Sequence, residues 1–214
     1  DDAKQMPDHA PARLGAAAIA DYQRQWLAGS DTLHFERRIH DVAGLGAHAV
    51  ETGTFNHRFA RAAGAPYDYA GKYLVVWDTA GAAPKVLAEI WGADAAFDAG
   101  ALPAIAAPPP LDLARIDNDP QVVGELGERN ALIRRLVMER KGGEHADLFL
   151  ADAVYMPYYT PMQVGMDAIR GYFVEHERPG PVEIAALDLR SARIHPLDGG
   201  RLQLEEGFYR VDRR

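Results

Sequence analysis

The chain has 214 residues, 48% of them apolar and 25% charged, and its 23 basic against 31 acidic side chains give a net charge of −8. That composition builds a globular core, and its acidic balance repels nucleic-acid phosphates and anionic membrane surfaces alike. Cysteine is absent, which excludes disulfides and thiolate metal sites. No run approaches the roughly 20 apolar residues of a membrane helix, so a soluble protein of the cytoplasm or periplasm is expected, with no membrane or nucleic-acid partner.

In chain order, the segment MPDHAPARLGAAAIADY (6–22) comes first, and it returns as MPYYTPMQVGMDAIRGY (156–172), 150 positions later without a gap. Between the windows 2–22 and 152–172, nine of 21 positions are identical, including Met6/Met156, Pro7/Pro157, Gly15/Gly165, Ile19/Ile169 and Tyr22/Tyr172. After Gly15, the residues Ile19, Tyr22 and Trp26 recur at helical spacing and predict an amphipathic helix stopped by Gly29. Strands are predicted over HAVETGTFNHRF (48–59), KYLVVWD (72–78) and KVLAEIWG (85–92), with a hairpin loop from Thr79 to Pro84.

A linker follows over residues 108–120, where Pro108 to Pro110 favour an extended spacer, and Asp119 then Pro120 read as the cap and first position of a helix. That helix runs from Gln121 to Lys141 with an apolar stripe of Leu126, Ile133 and Val137, beside Leu132 and Leu136. Glu125 and Arg129 are spaced as an ion pair on it, and Gly142 and Gly143 are expected to end it. A short helix over EHADLFLADA, a strand at AVYMP and a helix from Met166 to His176 come next. Two strands, VEIAALDLRSARIHP and RLQLEEGFYRV, flank a hairpin at LDGG. EEG at Glu205 echoes ETG at Glu51, so the strands repeat as well as the helix. The units are placed at 1–107 and 121–214.

The twice-occurring DA...MP...G...AI segment and the strand pair GKYLVVW...EIW resemble the nuclear transport factor 2-like superfamily, in particular its SnoaL-like and ketosteroid-isomerase-like bacterial branch. The resemblance implies an α+β fold of two cone-shaped units, each a curved antiparallel sheet wrapped around helices and an apolar pocket, forming a homodimer or an intramolecular pseudo-dimer. On that plan the first copy lacks its opening helices and the second its closing strands, which would leave apolar sheet surface uncovered. The chain is therefore expected to be part of a longer tandem; the alternative is a permutation in which the helices between Gln121 and Leu150 serve the first sheet.

In the isomerases of that branch a general-base Asp precedes the motif Pro, and a Tyr of the first helix donates to the oxyanion. Here Met6 and Met156 stand where the Asp would, and 121–141 has no Tyr. The candidates left for catalysis are Asp8, which shares a side with Met6 if the segment is extended, and His9 as a neighbouring acid or base. Apolar walls would raise the Asp8 pKa; the competing reading of both residues is a solvated turn. Residues expected at the pocket are Met6, Glu51, Trp77, Glu89, Trp91, Met156, Tyr158 and Tyr159, with His48 opposite Glu51 by strand parity. Tyr67, Tyr69 and Tyr73 are placed with the tryptophans as cavity lining or as packing.

His34 and His40 in HFERRIH have no zinc spacing, EHE (175–177) reads as the solvated end of a helix, and GLG (44–46) lacks a dinucleotide fingerprint. Neither a metal nor a cofactor is expected. The expected partner is a hydrophobic, oxygen-bearing small molecule, handled by a cofactor-independent isomerase, cyclase or hydrolase or, alternatively, held by a non-catalytic ligand-binding or dimerisation module.

Overall fold

The computed structural model describes residues 3–61, 64–108 and 119–214. Most of the expected Pro-rich linker lies outside these residues. The chain divides into two compact units, one of Asp1–Pro110 with Met156–Met162 and one of Leu111–Tyr155 with Gln163–Arg214.

In the first unit the Met-Pro step lies on a short strand, β1 (Lys4–Pro7), which pairs with β2 (Arg13–Leu14). Gly15, at φ 81°, turns the chain from β2 into helix α1 (Ala16–Gly29), a left-handed conformation that glycine adopts without a Cβ penalty. The predicted stripe is the buried face of α1: Tyr22 and Trp26 are 2% and 7% exposed. Ser30 closes the helix by donating its hydroxyl to the Trp26 carbonyl, 2.9 Å away.

Four long strands follow, β3 (Asp31–Leu45), β4 (His48–Ala60), β5 (Tyr67–Asp78) and β6 (Lys85–Ala93). The sheet order is β2-β1-β6-β5-β4-β3. All its pairings are antiparallel except β1 with β6, which run parallel, so the expected antiparallel sheet carries one parallel rung. The loop between β5 and β6 falls at the predicted 79–84. Strand β3 was not read from sequence, because its charges interrupt any clean alternation. Register shifts at Thr32/His34 and Ile39/Asp41 mark irregularities along it, of the kind that bends and twists a strand. As an edge strand β3 leaves Phe35, Ile39 and Val42 exposed.

The second unit opens with α2 (Pro120–Met138), capped as expected: Asp119 accepts the Gln121 N–H at 2.9 Å, and Pro120 is the first helical residue. Leu136 is its buried residue. The expected Glu125–Arg129 pair does not form; Glu125 accepts from Gln121, and Arg129 reaches the Leu148 carbonyl instead. Gly142 and Gly143 do not end the helix. They open α3 (Gly142–Ala146), because Gly142 lies against the backbone of the next long helix, α4 (Gly165–His176). A Cβ at Gly142 would run into the Phe173 carbonyl and sit 2.9 Å from the Val174 nitrogen. Gly142→Ala should therefore destabilise this unit by about 1–3 kcal/mol despite alanine's higher helix propensity, read as a lower urea midpoint by circular dichroism.

Strands β7 (Val154–Tyr155) and β8 (Gln163–Val164) precede α4 and pair Val154 with Val164, as Lys4 pairs with Leu14 in the first copy. Gly165 turns into α4 at φ 79°, the counterpart of Gly15. β9 (Ile184–Leu197) and β10 (Leu202–Arg213) form a hairpin around the predicted LDGG turn. The solvated helix end expected at Glu175–Glu177 holds for Glu175 and His176, which are exposed, and is corrected at Glu177, which is 3% exposed with its Oε1 2.6 Å from His145 Nδ1. Folding the helix end back over α3 buries it, and the His145 ring rests 4.0 Å from the Phe173 ring.

Candidate functional site

The register of the first unit's sheet decides what faces α1. Pairing aligns Val42, Glu51, Val75, Glu89 and Gln5 in one rung, and Ile39, Gly53, Tyr73, Trp91 and Pro7 in the next. Further rungs hold Arg37 with Phe55 and Phe35 with His57 and Tyr69. Side chains of one rung share a face, and this face together with Tyr22, Gln23, Trp26 and Leu27 of α1 encloses a cavity of about 480 Å³. Its wall is largely aromatic: the Trp26 ring lies 5.7 Å from His57, Phe55 5.4 Å from Tyr69, and Tyr22 6.1 Å from Trp91.

Polar groups enter this wall in two places. In the first, Gln23 donates to Gln5 (3.2 Å), Gln5 donates to Glu89 (3.0 Å), and Arg37 Nη2 lies 3.4 Å from Glu89. The Arg37 guanidinium sits over the Tyr73 ring, 3.7 Å from its centre. Tyr73 and Trp77 in turn donate to Glu51, at 2.7 and 3.0 Å.

The second is behind Tyr22 and Tyr69. Pro7 ends β1 and the chain turns, so Asp8 and His9 point back into the core with side chains 5% exposed each. The solvated-turn reading of these two residues is thereby overturned. Asp8 accepts from the Tyr69 hydroxyl at 2.5 Å and the Ala93 amide at 2.6 Å, and its Oδ1 is 3.2 Å from His9 Nδ1. His9 Nε2 meets the Tyr22 hydroxyl at 2.9 Å. Burial alone would raise the Asp8 pKa, as expected from sequence, but the bonds from His9, Tyr69 and the Ala93 amide outweigh it and the net shift is downward. Asp8 is therefore an ionised acceptor, which requires the proton on His9 Nδ1. A neutral His9 then accepts the Tyr22 O–H through Nε2, and a protonated one donates to it. Burial raises the Tyr22 phenol, and burial with the Asp8 bond raises Tyr69, so both remain O–H groups at neutral pH.

Of the residues expected at the pocket, Glu89 and Trp91 line the cavity. Met6 pairs with Ile90, one residue out of step with Gln5, and lies on the other sheet face. Glu51 and Trp77 are held on the cavity side of the sheet through Tyr73, outside the lining itself. Met156, Tyr158 and Tyr159 belong to the segment that packs with the first unit. Tyr158 donates to the Asp8 carbonyl at 3.4 Å, and the Tyr159 ring lies 5.5 Å from Phe97, so they stand behind Asp8 rather than in the cavity. Lys72, 2% exposed, holds this segment through the Thr160 carbonyl at 2.8 Å.

Sequence reasoning missed Tyr22, taken for core packing, and Gln5, Gln23, Phe35, Arg37, Phe55 and His57. Strand parity carried the signal for Phe55 and His57, which share the odd-numbered face of β4 with Glu51. Arg37 gave none. Among the described residues no three His, Asp or Glu side chains gather as a metal site requires, and no helix is long and apolar enough to cross a membrane.

No protein-family model matches the chain, and no curated protein matches it. Solved structures similar to part of it include a ketosteroid isomerase-like protein from Erwinia carotovora atroseptica SCRI1043, at 15% identity over 42% of this chain and 72% of that one, with a TM-score of 0.40. A nuclear transport factor 2-like superfamily protein from Salmonella enterica serovar Typhimurium LT2 is similar at 13% identity over 46% and 72% of the two chains, with a TM-score of 0.39.

Proposed function

We propose that the first unit holds a hydrophobic, oxygen-bearing small molecule in its aromatic cavity and moves a proton on it without a cofactor, as an isomerase, cyclase or hydrolase. The observation that carries this reading is the hydrogen-bonded series Asp8, His9, Tyr22, which begins on a buried carboxylate and ends on a phenol in the cavity wall. Asp8 orients the imidazole. Tyr22 is the group that meets the substrate: with His9 neutral it offers its oxygen lone pairs, and with His9 protonated it turns its O–H toward a substrate oxygen. The proton thus crosses from His9 to substrate through one hydroxyl.

Deuterium incorporation into 2-tetralone in D₂O, followed by proton NMR, tests this. The protein should accelerate exchange beside the ketone above the buffer rate, and Tyr22→Phe should slow it by about 10²-fold or more, the usual worth of a positioned acid or base. Binding of 2-tetralone, seen by quenching of Trp26 and Trp91, with no exchange above buffer would overturn the catalytic reading.

The alternative, a ligand-binding or dimerisation module without turnover, draws on one observation. Asp8 already accepts from Tyr69 and the Ala93 amide and contacts His9, so it is as well suited to fixing the fold as to chemistry. We also propose that each copy of the DA...MP...G...AI segment marks one nuclear transport factor 2-like unit of a tandem, and that the protein forms a homodimer. Light scattering on the eluting protein would give a mass twice that of the chain.

A further inference from the structure

We infer that the ligand of this cavity is a carboxylic acid on an aromatic or polycyclic body, and that Arg37 is the residue that captures its carboxylate. The inference rests on the reading that the cavity holds a small molecule, and it adds the charge of that molecule. Arg37 stands on the edge strand β3 and reaches over Tyr73 of β5 toward Glu89 of β6. The two charged partners are unequally satisfied. Glu89 is met from two sides, by the Gln5 amide at 3.0 Å and by Arg37 at 3.4 Å. Arg37 carries five N–H donors in a planar fork, and among the described residues only Nη2 approaches a carboxylate, at a separation beyond a good charge-assisted bond.

The guanidinium lies over the Tyr73 ring and shares one hydrogen bond with the Tyr73 hydroxyl, and a group held in this way loses little freedom when its remaining donors grip a second carboxylate. The neighbouring wall supplies the rest of the ligand's chemistry. Phe35, Phe55 and His57 flank Arg37 on the same face, and burial lowers the His57 pKa, which keeps that ring uncharged near pH 7. An aromatic acid entering here exchanges one loose ion pair for a bidentate one and buries its rings against the wall. Glu89 keeps its bond to Gln5 throughout, so no buried carboxylate is stranded.

Quenching of tryptophan fluorescence by 2-naphthoate and by its neutral isostere 2-naphthamide tests the proposal, since Trp26 and Trp91 line the cavity. Naphthoate should bind at least tenfold more tightly than the amide. Arg37→Gln should erase that preference, bringing the naphthoate and naphthamide affinities together. Glu89→Gln removes the competing carboxylate and should tighten naphthoate several-fold, an opposite sign that loss of folding cannot mimic. If the amide binds and naphthoate binds no better, the carboxylate assignment is wrong while the cavity remains a ligand site. If neither compound binds, the cavity reading fails and takes this inference with it.

Discussion

Replacing His145 with leucine should cost the second unit about 3 kcal/mol of stability, the upper end of the usual penalty for leaving a buried acceptor without its donor. The reason lies with Glu177. Its side chain is 4% exposed, its Oε1 depends on His145 Nδ1 at 2.6 Å, and its Oε2 has no hydrogen-bond partner among the described residues. Without the imidazole the carboxylate would be buried with neither oxygen satisfied, and leucine cannot supply a donor. The double variant His145→Leu with Glu177→Leu should recover most of the loss, because it removes the stranded acceptor along with its partner and leaves apolar volume against Phe149 and Phe173. Urea unfolding followed by circular dichroism at 222 nm reads the effect, since α2, α3 and α4 supply most of the helical signal. A single variant as stable as the parent would show that His145 and Glu177 are not a supporting pair.

Glu177 also shows what the sequence withholds. EHE at a helix end carries the pattern of a solvated terminus, and nothing local to it announces that α3, some thirty residues earlier, folds across it. The repeat was legible for the opposite reason. Gly15 and Gly165 recur because the chain must pass through positive φ at both turns, and each helix carries its buried side chains at helical spacing, Tyr22 with Trp26 in α1 and Ile169 with Phe173 in α4. These constraints are local, so they leave a mark in the string. Residues of the cavity are brought together by register. Arg37 and Glu89 are 52 positions apart, on strands separated by two others, and only the rungs through β4 and β5 set them on one face. Asp8 and His9 were singled out by elimination rather than by pattern. Their partners Tyr22, Tyr69 and Ala93 come from a helix and two strands, a coincidence of surfaces that no spacing rule encodes.

Asp8→Asn should destabilise the first unit by about 3 kcal/mol at neutral pH, and the deficit should shrink as the solution is acidified. In the folded chain Asp8 accepts from the Tyr69 hydroxyl and the Ala93 amide and contacts the protonated Nδ1 of His9. An asparagine of the same shape turns an amide NH₂ toward at least one of these donors, leaving a buried donor facing another. The pH dependence follows from the direction of the pKa. Burial pushes Asp8 up, but its three hydrogen bonds push it further down, so its folded value lies below the ordinary 3.8. A group depressed in this way contributes its stability above the unfolded value and loses it as the pH falls through the folded one. The gap between parent and variant should thus be full at pH 6 and should begin to close below about pH 4. Asp94, whose pKa burial raises, responds in the opposite sense, yet it is present in both proteins and cancels from the difference. Paired urea titrations at pH 6, 4 and 3, read by tryptophan fluorescence, measure that difference directly, because all three tryptophans, Trp26, Trp77 and Trp91, lie in the first unit. A deficit that stays constant across the series would mean that folding does not shift the Asp8 pKa and that Asn fails there by shape alone, and one that grows toward low pH would mean that the carboxyl is protonated in the folded chain; either would remove the fixed carboxylate on which the orientation of His9, and with it the role of Tyr22, depends.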